Sequence, residues 1–167
     1  MRYPATKKNS MDLILWRHAE AEDGPEGDLE GNRDMERSLT SRGEKQAARM
    51  ASWLDRQLPE GARILTSPAR RCEQTALALG RKYRIRAELA PGATPAQLLE
   101  LVQWPLSKSP ILVIGHQPTL GQTIAQLLGL PASDCPVKKG ALWWLRSRDR
   151  DGRCQTAIVT VQSPEVL

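Results

Sequence analysis

The chain contains two histidines, His18 and His116, and each directly follows a short apolar run. The runs are 12–16, which leads into Arg17-His18, and 111–114, which leads into a glycine and His116. Apolar runs of this length that end abruptly in polar residues are typical of buried parallel strands. Since ligands in open α/β sheets bind beyond the carboxyl ends of the strands, the two imidazoles are predicted to share one edge of a sheet.

A third predicted strand, residues 62–66, ends in Ser67-Pro68-Ala69-Arg70-Arg71. Either histidine or one arginine alone is most simply interpreted as a solvated loop residue, and this interpretation suffices for Arg70. The placement of Arg71 and both histidines at predicted strand ends favours a shared anion site instead. A neutral imidazole can act as a nucleophile, and guanidinium groups bind phosphate. The residue types therefore indicate phosphoryl chemistry.

The elements that must position these residues alternate between strand and helix. The predicted strands are 12–16, 62–66, 83–89, 111–114, 141–146 and 155–161, with the last two joined as a hairpin across 149–152. Four helices are predicted. The first begins after Thr40 or Ser41 and ends near Pro59, and the second runs from Ser67-Pro68 to about Lys82. The third extends from Thr94-Pro95 through Val102, and the fourth covers about Thr119 to Leu128. This alternation predicts a single-domain, three-layer α/β sandwich with a mostly parallel central sheet flanked by helices, whose final strand is a candidate for antiparallel pairing.

Three motifs stand in the order and context of a known family. They are Arg17-His18-Ala19-Glu20, Ser67-Pro68-Ala69-Arg70-Arg71-Cys72-Glu73-Gln74-Thr75 and Gly115-His116-Gln117-Pro118. Over about residues 11 to 162 the chain resembles the histidine phosphatase superfamily, also called phosphoglycerate mutase-like. It is most similar to the short SixA-type branch, the phosphohistidine phosphatases, whose Arg-Pro-Leu-Thr is echoed by Arg37-Ser38-Leu39-Thr40. It departs from the family at Ala19, where glycine is usual, so the loop there must accept a Cβ atom.

The resemblance implies a metal-independent phosphatase in which His18 becomes transiently phosphorylated. One ring nitrogen attacks phosphorus while an acceptor such as a backbone carbonyl holds the proton on the other nitrogen. The phosphoryl group spreads negative charge over its equatorial oxygens, so the reaction depends on fixed donors and cations. In the family pattern the phosphate-binding arginine lies four residues after the serine, which selects Arg71 beside Arg17 and His116. Neither a metal nor an organic cofactor is implied.

A general acid is harder to assign. Many relatives place a carboxylate near the leaving group, and the candidates here are Asp34, Glu20, Glu22 and Glu88. Asp34 best fits the spacing of the short branch because it stands three residues before Arg37, which is itself a candidate phosphate or substrate contact. A phosphohistidine leaves as imidazole and depends less on a dedicated acid than an alkyl phosphate does, which favours phosphoramidate substrates.

The predicted site is open. Larger family members insert a cap to enclose small metabolites, whereas the segment 91–110 has room for only one short helix. An open site suits a phosphohistidine displayed on a folded protein. Residues 19–37 lack periodicity and predict a long surface loop, whose acidic part 20–36 would form one edge of the docking surface.

Composition excludes several other classes. The chain has 167 residues, 40% hydrophobic and 26% charged, with a net charge of +5, which is ordinary for one soluble domain. No run approaches the ~20 apolar residues needed to span a bilayer. Aromatic residues are only 4% and Phe is absent, which argues against a nucleic-acid partner.

Residues 1 to 10 contain three cations but lack the apolar core of a secretory signal. They are expected to form a flexible extension before a histidine phosphatase domain spanning 11–167, with Met11 as a candidate native start. The three cysteines, Cys72, Cys135 and Cys154, show no metal-type spacing and fit reduced thiols in the cytoplasm.

Three alternatives to a protein phosphohistidine phosphatase stay open at this point. The first is a phosphatase of the same fold that acts on a small phosphate ester. The second is a phosphate-binding or docking module without turnover, against which the intact set of Arg17, His18, Arg71 and His116 argues. The third is a metal hydrolase that uses His18, His116 and nearby carboxylates as ligands.

Overall fold

The computed structural model describes residues 10–24, 26–28, 30–31 and 33–167, so the expected extension lies outside the described residues except for Ser10. One sheet contains the strands β1 (Asp12–Arg17), β2 (Arg63–Thr66), β3 (Arg84–Ile85), β4 (Ile111–Gly115), β5 (Leu142–Arg150) and β6 (Arg153–Gln162). The helices are α1 (Ser41–Gln57), α2 (Arg70–Leu77), α3 (Pro95–Leu101) and α4 (Thr119–Leu128). In this part of the chain, no helix is long and apolar enough to cross a membrane.

The order of the strands, β3-β2-β4-β1-β5-β6, places three strand ends side by side. β4 lies between β2 and β1, and all three run parallel. Ile114 is in register with Trp16 on one side and with Thr66 on the other. The residues that follow β1, β2 and β4 therefore leave the sheet at the same edge, as the sequence predicts.

Helices cover both faces of the sheet, which gives the three layers expected from the sequence. Ile14 and Trp16 of β1 point to one face and join the core formed with α1 and α2. Leu13 and Leu15 point to the other face and pack with residues of α3 and α4. Because successive side chains of a strand alternate between faces, the apolar run 13–16 within β1 can serve both cores.

A buried ion pair joins β1 to β5. The Arg146 Nε donates to Asp12 Oδ1 at 2.6 Å, and the Trp144 Nε1 donates to Asp12 Oδ2 at 3.1 Å. The two ionic side chains are 11% and 3% exposed. Burying this carboxylate is tolerable only because it is paired and hydrogen-bonded.

The carboxyl-terminal strands form the predicted hairpin. Asp151 and Gly152 make its two-residue turn with φ values of 55° and 76°, as a twist-compatible hairpin turn requires. The antiparallel pairing expected of the final strand is present between β6 and β5, and β5 also pairs antiparallel with β1. The tight turn then makes β6 antiparallel to β5, so β6 runs in the direction of β1.

Two other elements are shorter than the sequence predicts. The helix expected from Ser67 to about Lys82 spans only Arg70–Leu77, because Ala69 is extended and its amide donates to the Ser67 hydroxyl. The strand expected over 83–89 pairs with β2 only at Arg84–Ile85 and then enters a 3₁₀ turn, Ala87–Leu89. This turn buries Leu89 in the core beside α3, which a straight edge strand would not do.

The chain between β1 and α1 is held against the start of α1. Thr40 is the N-cap, and its hydroxyl oxygen accepts the Gly43 amide. The Thr40 amide donates to the carbonyl oxygen of Glu20 at 3.0 Å, which brings that carbonyl against Gly43. Part of the segment 19–37 is therefore held by backbone hydrogen bonds, and Ala21 makes an isolated β-bridge with Leu39.

Gly43→Ala is expected to destabilise the protein even though alanine favours helices, because its Cβ would overlap the Glu20 carbonyl. The free energy of unfolding should fall by roughly 1–3 kcal/mol, measured by urea denaturation. Gly61→Ala is the matched control, since nothing lies within 4 Å of its Cβ position. Equal stability of the two variants would show that the approach of Glu20 to α1 does not constrain the fold.

Candidate active site

The backbone of His18 is fixed at the end of β1 from two sides. Its amide donates to the Gly115 carbonyl at 3.2 Å, and its carbonyl accepts the Gly140 amide at 3.0 Å. The side chain is only 6% exposed. The first histidine is therefore held by β4 and by the chain that enters β5.

The hydrogen bonds of the His18 ring select one tautomer. Its Nδ1 lies 2.8 Å from the carbonyl oxygen of Ala19. A carbonyl oxygen can only accept, so Nδ1 carries the proton and Nε2 keeps its lone pair. The Ala19 amide donates to the Thr75 hydroxyl at 3.1 Å, which fixes the accepting carbonyl. The methyl group of Ala19 packs in a small apolar cluster with Ala21, Leu39 and others, so the loop accepts it.

His116 lies beside His18, with 5.3 Å between ring centroids and 58° between ring planes. Its Nε2 is 2.7 Å from the Ser67 Oγ, and its Nδ1 is 3.3 Å from the Arg71 Nη2. Because guanidinium groups only donate, Nδ1 accepts here and Nε2 donates to the serine. The Cys72 Sγ packs 3.4 Å from Nε2 and completes the surroundings of the ring.

Arg71 is the most deeply buried cation of the site, with its side chain 5% exposed. Its Nη1 donates to the Asp34 carbonyl oxygen at 2.8 Å, and its Nη2 donates to Asp34 Oδ2 at 3.1 Å. Its Nε is buried and has no hydrogen-bond partner among the described residues. Arg71 therefore retains a donor for a ligand.

Arg17 shows the same pattern beside it. Its Nη1 donates to the Val137 carbonyl at 2.8 Å, whereas its buried Nε has no partner in the described part of the chain. An unsatisfied buried donor costs about 1–3 kcal/mol, and each of these two arginines carries one, which an anion could satisfy. Burial and the charge of Arg71 both lower the pKa of Arg17.

Asp34 and Arg37 form the outer side of the site. The Arg37 Nη1 donates to Asp34 Oδ1 at 2.9 Å, and its Nε donates to the Glu22 carbonyl at 2.7 Å. Burial raises the pKa of Asp34, but the hydrogen bonds and charges of Arg37 and Arg71 outweigh it and lower the pKa overall. Asp34 is therefore ionised at neutral pH.

Both imidazoles are neutral at pH 7. Burial lowers the pKa of His18 to about 4, and the charges of Arg71, Arg17 and Arg37 add to this effect against the hydrogen bond to Ala19. Burial and the charge of Arg71 lower the pKa of His116 to about 3. A neutral His18 has the lone pair that a nucleophile needs.

The other acid candidates lie in different surroundings. The Glu20 carboxylate accepts the Thr40 hydroxyl at 3.1 Å and lies 3.7 Å from the Arg42 guanidinium. The Glu88 side chain is 42% exposed, and its pKa is lowered by its own backbone amide and by Arg86. Glu22 lies on a groove beside Arg37.

Several supporting residues are not evident from sequence reasoning. Gly121 has no room for a side chain because Cys135 and Asp134 crowd its α carbon. The Gln117 side chain accepts the Gly121 amide at 2.6 Å and donates to the Cys135 carbonyl at 3.0 Å. These contacts hold the segment that brings the Val137 carbonyl to Arg17. Ser67, which bonds the ring of His116, and Thr75, which bonds the Ala19 amide, both lie within the second sequence motif, and that motif is the sequence feature that points to them.

The carboxyl edge of the sheet thus gathers two neutral imidazoles and two largely buried guanidinium groups, a combination that can bind and attack a phosphoryl group. The model of the histidine phosphatase superfamily (branch 1) matches residues 13–94. Phosphohistidine phosphatase SixA of Escherichia coli (strain K12) is 33% identical over 125 residues, which cover 70% of this chain and 74% of that protein.

The phosphohistidine phosphatase SixA homolog of Haemophilus influenzae is 30% identical over an alignment of 174 residues that covers 93% of this chain and 98% of that protein. The structure of the protein histidine phosphatase SixA complexed with tungstate superimposes with a TM-score of 0.73 at 24% identity, covering 93% of this chain and 99% of that one. The chain belongs to the histidine phosphatase superfamily and to its SixA-type branch. The family expected from the three motifs is thus confirmed.

The described residues also bear on the metal-hydrolase alternative. Across residues 10–24, 26–28, 30–31 and 33–167, no group of three or more His, Cys, Asp or Glu side chains is arranged to hold a metal ion. The ring of His116 contacts an arginine, a serine and a cysteine instead, and the ring of His18 bonds a backbone carbonyl. The family to which the chain belongs identifies it as a phosphatase.

Nitrogen-15 NMR of labelled histidine should show two neutral imidazoles from about pH 8 to about pH 5, because burial and the arginines disfavour the cations. His18 should show the Nδ1-protonated tautomer and titrate near pH 4, the value to which its pKa falls from 6.5. Between pH 6.5 and about pH 4, His18 is protonated in the unfolded chain and neutral in the folded protein. The free energy of unfolding should therefore fall as pH drops through this range. With only two histidines in the chain, His18→Ala assigns both signals. A midpoint near 6.5 for either ring would contradict the neutral site.

Proposed function

We propose that this protein removes phosphoryl groups from phosphohistidine on other proteins through a covalent phosphohistidine at His18. The observation that carries this proposal is the tautomer of His18, with its Nδ1 proton held by the Ala19 carbonyl at 2.8 Å. This arrangement leaves Nε2 as the nucleophile, in a ring kept neutral by burial and by nearby arginines. Phosphate-site roles for Arg17, Arg71 and His116 belong to the same proposal.

The first step transfers the phosphoryl group to His18. The Nε2 lone pair attacks phosphorus in line as the bond from phosphorus to the leaving nitrogen breaks. The leaving ring keeps that electron pair and departs as neutral imidazole, because its other nitrogen already carries a proton in the bound substrate. The Ala19 carbonyl stabilises the positive charge that then develops on the His18 ring. In the second step water attacks phosphorus, the bond from phosphorus to Nε2 breaks, and inorganic phosphate is released.

The arginines supply the electrostatic stabilisation. The Nε donors of Arg17 and Arg71 are buried without partners among the described residues, and both belong to planar forks that suit phosphoryl oxygens. Fixed donors of this kind need no reorganisation as charge spreads over the equatorial oxygens. Arg37, on the outer side of the site, is proposed as an additional contact to the phosphoryl group or to the substrate.

His116 can add a donor through a change of tautomer. Its Nδ1 accepts from Arg71 at 3.3 Å, and its Nε2 donates to Ser67 at 2.7 Å. When the Arg71 Nη2 donates to a bound phosphoryl group instead, a proton on Nδ1 would let His116 donate to an oxygen as well. The Ser67 hydroxyl can donate or accept, so it satisfies Nε2 in either state.

The protein substrate is supported by the leaving group and by the open site. Asp34, the first-ranked acid candidate, is held ionised by Arg37 and Arg71, which suits a leaving group that depends little on an acid. Only one short helix, α3, lies between residues 91 and 110, so no cap closes over this side. The relatives from E. coli and H. influenzae are named for phosphohistidine phosphatase activity, and a related SixA structure contains tungstate, an oxyanion like phosphate. A cytoplasmic location completes the proposal and fits the three free cysteines.

Incubation with a phosphohistidine protein carrying labelled phosphate should transfer the label to the wild-type enzyme. The trapped phosphate should be labile to acid and stable to alkali, because it is bound to a histidine nitrogen. His18→Ala should carry no label and should lose turnover, since no other imidazole takes its place. A labelled His18→Ala variant with unchanged turnover would refute the mechanism, and a higher kcat/KM on alkyl phosphates would refute the substrate class.

Arg71→Ala should lower kcat/KM by about 10²-fold or more, because it removes fixed donors to the phosphoryl oxygens. Arg70→Ala is the matched control, since it removes the same charge from the adjacent, exposed position of α2. Steady-state kinetics of the two variants would separate a specific contact from a general electrostatic effect. Equal losses in both would show that Arg71 contributes only its charge.

A further inference from the structure

We propose that the Asp34 carboxylate is an internal competitor for the phosphoryl group at Arg71 and Arg37. It pairs with these arginines before substrate binds, yields them to the phosphoryl group, and pairs with them again as inorganic phosphate leaves. The inference rests on the proposed role of Arg71 in binding the phosphoryl group. It makes Asp34 a positioning residue that sets the affinity of the site for oxyanions.

The two carboxylate oxygens of Asp34 contact different arginines. Oδ2 accepts from the Arg71 Nη2 at 3.1 Å, and Oδ1 accepts from the Arg37 Nη1 at 2.9 Å. A carboxylate that bridges two guanidinium groups occupies donors of the type that phosphoryl oxygens use. The same Arg71 Nη2 also lies against His116, so the pairing reaches the centre of the site.

The unequal exposure of the partners shows which group can exchange. The Asp34 side chain is 35% exposed, whereas the Arg71 side chain is 5% exposed. Arg71 also holds the main chain of Asp34, through the bond from its Nη1 to the carbonyl oxygen at 2.8 Å. Rotation of the Asp34 side chain can thus return the carboxylate to water while its backbone and Arg71 stay in place.

Charge determines the direction of the exchange. A phosphoryl group carries close to two negative charges, so it binds the arginines more strongly than a single carboxylate does. The two anions repel each other at short range, and a carboxylate that stays nearby opposes the binding of phosphate. Competition by Asp34 lowers the affinity for substrate and also the affinity for the product, inorganic phosphate. Weaker product binding favours turnover, because product release limits the rate of many enzymes.

Isothermal titration of the variant Asp34→Asn with tungstate and with inorganic phosphate tests this role. The amide keeps the shape and loses the charge, so both oxyanions should bind about fivefold more tightly than to the wild type. With a phosphohistidine protein as substrate, KM should fall and kcat should not rise. Asp34→Ala should change the affinity in the same direction.

Glu36→Gln is the matched control. Glu36 belongs to the same 3₁₀ turn, Asp34–Glu36, and pairs with Arg33 rather than with Arg71. This variant removes the same charge from the same turn, and its affinity for tungstate should stay within about twofold of the wild-type value. An equal gain in affinity for both variants would reduce the effect to net charge and would overturn the proposal.

The remaining outcomes separate this inference from the proposed function. Weaker or unchanged binding by Asp34→Asn, together with a loss of binding by Arg71→Ala, would show that Asp34 orients Arg71 and does not compete. That result would overturn the inference and leave the function intact. If Arg71→Ala binds tungstate as well as the wild type does, the phosphate role of Arg71 itself fails.

Discussion

The site depends on one buried cation, the guanidinium group of Arg71. A charge at this depth is costly unless it is paired, and its partners within the described chain are Asp34 and the neutral ring of His116. Burial lowers the pKa of Arg17, His18 and His116, and the charge of Arg71 adds to this effect, so both imidazoles stay neutral. The charge proposed to bind the phosphoryl group therefore also helps to preserve the lone pair of His18. Its position at the start of α2 follows from the short connection after β2, in which Ser67 caps Ala69.

The order of the parallel strands determines which residues lie next to Arg71. β4 lies between β1 and β2, so residues far apart in the chain leave the sheet together. The outer supports are less regular, and they depend on close backbone approaches at Gly43 and Gly121. One approach fixes the chain after His18, and the other helps to fix the carbonyl that holds Arg17. The regular sheet thus places the reacting groups, while glycine contacts in the flanking helices restrain the loops between them.

The parts of the site that could be predicted from sequence are those that depend on local pattern. Apolar runs identify β1 and β4, and a polar residue directly after such a run must lie at the strand end, which locates His18 and His116. The pairing of Asp34 with Arg71 could not be predicted in this way, because it joins residues 37 positions apart through the course of an irregular loop. The shortness of β3 and of α2 also lay beyond local pattern, since burial of Leu89 and the extended Ala69 override the apolar periodicity. The antiparallel pairing of β5 with β1 brings together Asp12 and Arg146, which are distant in sequence, so local pattern does not reveal it.

The electrostatics of the site connect its nucleophile with its substrate class. Burial lowers the pKa of His18, and arginines that add to this effect also keep Asp34 ionised, so the environment that keeps the imidazole neutral leaves Asp34 without a proton to donate. A general acid and this nucleophile would need opposite fields at neighbouring positions. Such an environment suits a leaving group that needs little proton donation, and the phosphohistidine proposed above as substrate has a leaving group of this kind.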